Sequence, residues 1–205
     1  MATIGIMGGT FNPIHKGHVA LAKAAKEQYP IERIWFMPNR QPEYKDRSDL
    51  VSVEDRMNMV QLAISDNTDF ELSDYEIRRE GSTYTVDTLR GLHRQYPSDT
   101  FYFIMGADSL FEFEKWREAD TIAMLATILA APRDEKNMDE ITDRIHALND
   151  RYGQKVFHAL SCPVLPCSSS EIREALYAGH GEMIRRFLPD AVYFYIKAHG
   201  LYGFH

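Results

Sequence analysis

The stretch Gly8–His18, GGTFNPIHKGH, constrains this chain more than any other, because it directly follows the apolar run Ala2–Met7. An apolar run, a glycine pair and two histidines three residues apart read as strand, tight turn and helix mouth. Glycine carries no Cβ, so Gly8 and Gly9 let backbone N–H groups approach phosphate oxygens. The start of the following helix adds the positive end of its dipole. His15 and His18 would stand about one helical turn apart, so both imidazoles can face a single anion. A lone histidine is more often structural. A pair around Gly17, beside GGTF, points to a site that handles phosphate in nucleotide chemistry.

Composition bounds that reading. A length of 205 residues suits one well-buried domain. Hydrophobic content of 44% and charged content of 26% are those of an ordinary soluble globule. No apolar run is long enough to span a bilayer, and the first residues lack a signal peptide's basic start, so the cytoplasm is expected and a membrane partner is not. A net charge of −7 argues against binding a nucleic acid polymer. A small anion is still accommodated, because a few convergent cations dominate within a Debye length. Cys162 and Cys167 are too few for a disulfide framework, and with His158 they match no common zinc spacing. Free, partly buried thiols are expected there, and no metal held by protein ligands.

Strand and helix signals alternate along the chain, which predicts an α/β fold: a doubly wound parallel sheet with flanking helices. Strand candidates are Thr3–Met7, Arg33–Met37, Phe70–Leu72, Phe101–Met105, Thr127–Ala131 and Val156–Ala159. Helical patterns run over His18–Gln28, from a Ser52 N-cap, over Tyr84–Tyr96 and over Asn137–Tyr152. From Ser168 the pattern stays helical, interrupted near Gly179–Gly181 and at Pro189, so residues 167–205 read as a small helical C-terminal subregion. Pro38–Asp49, with two prolines and mixed charges, reads as a mobile loop. Ligands of doubly wound sheets sit beyond the carboxyl ends of the strands. Gly8–His18, Gly106–Asp108 and Arg133 each follow a strand candidate, so these distant loops should gather at one crevice.

The second constellation is Ser168–Arg173, SSSEIR. Its plain reading is a capping box, with Ser168 and Glu171 each bonding the other's backbone N–H. The same geometry leaves hydroxyls and N–H groups at a helix start, where Ser168, Ser169, Ser170 and Arg173 can hold phosphate oxygens.

HxGH, here His15-Lys16-Gly17-His18, resembles the signature of the nucleotidyltransferase superfamily. Together with SSSEIR it resembles the nicotinate (or nicotinamide) mononucleotide adenylyltransferases of NAD synthesis. STYTVDTL (Ser82–Leu89), GADSLFEFEKW (Gly106–Trp116) and VYFYIKAHGLY (Val192–Tyr202) extend the resemblance over nearly the whole chain. It implies a Rossmann-like fold and transfer of AMP from ATP to nicotinate mononucleotide. Gly8, Gly9, Thr10, Phe11, His15, His18, Gly106, Asp108, Ser168, Ser169, Ser170 and Arg173 are implied on ATP, with His15, His18 and Arg173 catalytic. Asn39, Lys45, Tyr84, Thr85, Trp116 and Arg133 are implied on the mononucleotide.

Physical reasons support these roles. Trp116 can stack on a pyridine ring, although core tryptophans are common. The Thr85 hydroxyl and nearby N–H groups can donate to nicotinate's carboxylate, although Thr85 also suits a plain helix start. Asp108 can accept from ribose hydroxyls or cap the next helix. Arg133 can equally be a solvated charge. Mg²⁺ is implied with ATP, held mainly by phosphate and water. The chain departs from the family's PPHK at Pro42-Glu43-Tyr44-Lys45 and from its ISSTxIR at Cys167–Arg173. Other phosphate acceptors (nicotinamide mononucleotide or phosphopantetheine) and a non-catalytic nucleotide sensor are the rival readings, and a homo-oligomer is compatible with the chain.

Overall fold

Six strands, β1 (Thr3–Gly9), β2 (Arg33–Pro38), β3 (Phe70–Leu72), β4 (Thr100–Gly106), β5 (Thr127–Ala131) and β6 (Phe157–Ala159), form one sheet in the order β3-β2-β1-β4-β5-β6. Every neighbouring pair is parallel. This computed structural model describes residues 1–40, 49–80, 83–131, 138–153, 155–162 and 166–204. Lys45, Arg133 and Ser82, singled out in the sequence, lie outside the described residues, as does most of the Pro38–Asp49 stretch.

Parallel strands need crossovers. Helices α1 (Lys16–Gln28), α2 (Val53–Ile64), α3 (Tyr75–Arg78), α4 (Thr85–Gln95), α5 (Ala107–Phe111), α6 (Ala119–Leu125) and α7 (Met138–Tyr152) lie in them, and α8 (Ser169–Tyr177), α9 (Gly181–Ile184) and α10 (Asp190–Ala198) follow β6. The strand order reverses between β1 and β4. This is the switch point of a Rossmann-like doubly wound sheet, and it leaves a crevice beyond the carboxyl ends of those two strands.

Alternation along each strand divides the core into two layers. Ile4 and Ile6, Phe101, Phe103 and Met105, and Ile128 and Ala130 face one side, with Val86 and Leu89 of α4, Ile122 of α6 and Ile141 of α7. Met7, Ile34, Phe36, Ile104 and Leu129 face the other, with Leu21 and Ala22 of α1 and Met59 and Val60 of α2. Fully burying side chains of this size stabilises by about 1.5–3 kcal/mol each.

The C-terminal helices belong to the second layer: Ile172 and Leu176 of α8 and Val192, Tyr193 and Ile196 of α10 pack with the α2 residues. The last residues then reach back across the whole chain. Tyr202, held at φ 56, donates its buried hydroxyl to Asn12 Oδ1 at 2.7 Å. The turn after β1 is therefore fastened to the C-terminal segment before any ligand is considered.

Candidate active site

Two chambers occupy the crevice, a histidine chamber of about 560 Å³ and a tryptophan chamber of about 310 Å³. Gly8, Phe103, Ser109 and Trp116 line both, so the two form one continuous cleft.

The histidine chamber is organised by helix starts. His15, extended at φ −140 and ψ 170, is the N-cap of α1, which begins at Lys16, earlier than the His18 start read from the sequence. The His15 backbone N–H donates to Nδ1 of His18 at 3.2 Å. An accepting Nδ1 places the neutral imidazole's proton on Nε2, so His18 presents an N–H donor from its far side. The two rings lie 3.8 Å apart, and the ring of Phe11 meets His18 edge-on at 5.2 Å. Both histidines line the chamber.

Opposite them, α8 begins with the capping box expected from SSSEIR. Ser168 N–H donates to Glu171 Oε2 at 2.7 Å, and Glu171 N–H donates to Ser168 Oγ at 3.2 Å. Ser169 Oγ donates to Pro13 O at 2.9 Å, which ties this helix start to the histidine loop across 156 positions of sequence. Gly106 lines the same chamber. A Cβ built there meets no atom within 4 Å, so it would project into open space inside the cleft.

The tryptophan chamber is lined by Asn39, Thr83, Tyr84, Thr85, Trp116 and Arg117 around the mouth of α4. Trp116 is half-buried, with its ring edge-on to Phe103 at 6.0 Å. It belongs to the cleft wall as well as to the core edge. Thr85 is the first residue of α4 and Tyr84 its N-cap.

Other expected residues are placed differently. Phe11, expected on ATP, buries its ring in the core beneath Gly9, where a Cβ would stand 3.2 Å from it. Thr10 lines neither chamber: its carbonyl accepts from Arg56 Nη1 at 2.8 Å and its hydroxyl from Asn39 Nδ2 at 3.3 Å. Arg173 is absent from both linings. Its Nη1 donates to Asn12 O at 2.9 Å and its Nη2 lies 3.5 Å from Ser170 Oγ, so the guanidinium braces the β1 turn from just behind the serines. Asp108 does line the histidine chamber, as expected, from inside the first turn of α5, and the N-cap position is held by Gly106.

Several residues carried no sequence signal. Arg56 is fully buried in α2 and also donates to the carbonyls of Asn39 (2.8 Å) and Arg40 (3.2 Å), clamping the loops after β1 and β2 together. Glu76 lines the tryptophan chamber, and burial pushes its carboxyl up to about 7 against the opposing hydrogen bond from Thr88 and the charge of Arg79. Cys162 and Cys167, expected from the sequence as partly buried thiols, form no disulfide and line the histidine chamber. Burial, with the Glu171 charge, pushes the Cys167 thiol up to about 11, so it stays protonated at neutral pH and is no nucleophile. Periodicity could have flagged only Arg56, as a charge on the apolar stripe of a helix.

Comparison with known proteins bears on the family and the fold. The family described as cytidylyltransferase-like matches residues 6–175. A probable nicotinate-nucleotide adenylyltransferase of Lachnoclostridium phytofermentans is 48% identical over 202 residues, covering 98% of this chain and 100% of that protein. One of the same name from Dehalococcoides mccartyi (strain ATCC BAA-2266 / KCTC 15142 / 195) is 42% identical over 97% of this chain and 96% of its own length. The nicotinic acid mononucleotide adenylyltransferase of Plasmodium falciparum, solved in complex with NaAD, shares the fold with a TM-score of 0.81, covering 100% of this chain and 99% of that one at 24% identity.

Proposed function

The chain belongs to the nicotinate-nucleotide adenylyltransferases, within the cytidylyltransferase-like family, and we propose that it transfers AMP from ATP to nicotinate mononucleotide, forming deamido-NAD and pyrophosphate. What carries this reading is the joined pair of chambers: donors for a triphosphate on one side, an aromatic wall on the other, and Gly8 between them.

In the reaction an oxygen of the mononucleotide's 5′-phosphate attacks the α-phosphorus of ATP as the bond to the β-phosphate oxygen breaks. The attacking phosphate is already an anion, so the protein needs to position, desolvate and neutralise. His18, with its proton on Nε2, and His15 donate to the triphosphate where charge builds on the leaving oxygen. The dipole of α1 adds to them. Ser169 and Ser170, at the start of α8, hold the β- and γ-phosphates through backbone N–H groups. Arg173 supplies charge beside them with the donors that Asn12 does not occupy. Asp108 accepts from the adenylate ribose, and Gly106 keeps the wall low enough for the nucleotide. Trp116 stacks on the pyridine ring, and Thr85 donates to its substituent.

Among the described residues no group of three or more His, Cys, Asp or Glu side chains is placed to hold a metal. A Mg²⁺ ion arriving with ATP would be ligated by phosphate and water, and it neutralises triphosphate charge. Among the described residues no helix is long and apolar enough to cross a membrane. On this reading the partners are small molecules, and the cytoplasm, which supplies them, is the place of work.

The test is pyrophosphate release from ATP with nicotinate mononucleotide, nicotinamide mononucleotide, phosphopantetheine or no acceptor. Release only with a pyridine mononucleotide, strongest with nicotinate, is expected. Release that ignores the acceptor, or requires phosphopantetheine, defeats the assignment.

A further inference from the structure

The geometry points to Arg117 as the residue that makes the tryptophan chamber prefer an acidic pyridine ring to a neutral one. This rests on the reading of that chamber as the mononucleotide site. Arg117 directly follows Trp116, and both line the chamber. Its guanidinium carbon stands 4.7 Å from the centroid of the Tyr84 ring, and Tyr84 caps α4 just before Thr85. A ring laid on Trp116 would share a cavity of about 310 Å³ with Arg117 and with the start of α4, whose first N–H groups have no partner within the helix.

The charges around Arg117 leave it available. Its sequence neighbour Glu118 lies 4.0 Å from Arg117 Nε, at the outer limit of an ion pair. Glu118 is already gripped by Arg90, whose Nη1 and Nη2 donate to its two oxygens at 3.0 and 2.5 Å. The stack on Tyr84 orients the guanidinium without neutralising it. Among the described residues lining the chamber the carboxyl is that of Glu76, which is buried and accepts from the Thr88 hydroxyl at 2.7 Å, while Arg79 donates to that hydroxyl at 3.0 Å. Burial holds a proton on Glu76 to about pH 7, so it presents less than a full negative charge to an entering carboxylate. A ring carboxylate therefore meets a half-exposed cation with which it can form a charge-assisted hydrogen bond. A ring carboxamide carries no charge and gains only an ordinary hydrogen bond there.

Calorimetric titration of each mononucleotide into the full chain, with a non-hydrolysable ATP analogue present, tests this without turnover. Arg117→Ala should weaken nicotinate mononucleotide about tenfold and shift nicotinamide mononucleotide by no more than about twofold. Arg117→Lys should recover part of the loss, and added salt should erode the wild-type preference but not that of the alanine variant. An equal loss for both ligands, or an unchanged preference, overturns the role of Arg117. Wild-type protein that binds neither mononucleotide defeats the mononucleotide site and this role with it. Wild-type protein that binds both without releasing pyrophosphate defeats only the transfer reaction, and the preference can still be read.

Discussion

The histidine and tryptophan chambers share four walls and are built by opposite means. In the first, the polar donors come from two contiguous stretches, each ordered by hydrogen bonds within a few residues: His15 with His18, and Ser168 with Glu171. In the second, Asn39, Glu76, Thr85, Trp116 and Arg117 come from scattered loops and short helices, ordered by contacts such as Glu76 with Thr88 and Arg117 with Tyr84. Charge neutralisation at a triphosphate needs small, repeatable backbone geometry, which a short motif can encode. Choice of acceptor needs a shaped wall, which only distant residues brought together can make.

The sharpest way to break this division is His18→Ala. It should lower kcat by about 10²- to 10³-fold, as removal of a preorganised donor does, with the KM for both substrates nearly unmoved and the melting temperature close to wild type. A rise in the mononucleotide KM instead would mean that the chambers do not divide the work. Trp116→Ala comes next. Loss of base stacking worth about 1–3 kcal/mol should raise the mononucleotide KM by about 5- to 150-fold. Because Trp116 lines both chambers, the size of the accompanying shift for ATP measures how separate they are. Equal shifts would remove stacking on the pyridine as its role.

The last variant, Glu76→Gln, concerns stability rather than turnover. Glu76 titrates near 4.5 as a free side chain and at about 7 in the fold, so between these values the folded chain keeps a proton that the unfolded chain releases. Folding stability therefore falls as pH rises through that window, and above it the buried charge costs on the order of 3 kcal/mol. Below about pH 4.5 both states are protonated and the penalty vanishes. Thermal melts across this range should show Glu76→Gln equal to wild type in acid and more stable in mild base. A variant that loses stability at high pH would mean that the ionised carboxylate is held by Arg79 rather than penalised by burial.

The sheet is legible in the sequence because strands buried on both faces are continuous apolar runs between turn signals. All six candidates appear, with β1 and β4 carried on through their terminal glycines to Gly9 and Gly106. The long helices are legible too, and the Ser168–Glu171 cap is present as its residues suggest. Helices α3, α5 and α6 are not, since 4, 5 and 7 residues are too few to show a helical period. Of the tryptophan chamber those short elements carry Glu76, Ser109 and Ile122, so the same brevity conceals that part of its wall.

By itself, then, the amino-acid order determined the parallel sheet, the crevice at its switch point and the two stretches, Gly8–His18 and Ser168–Arg173, that meet beside it, because strand period, glycine turns and helix caps depend on neighbours a few residues away. Only the tertiary structure decided that Phe11 supports His18 from the core and that Arg173 and Arg56 brace backbone carbonyls. It likewise set Glu76 and Arg117 in one chamber. Those roles depend on which groups lose their water together, and burial is a property of the assembled fold rather than of any local stretch.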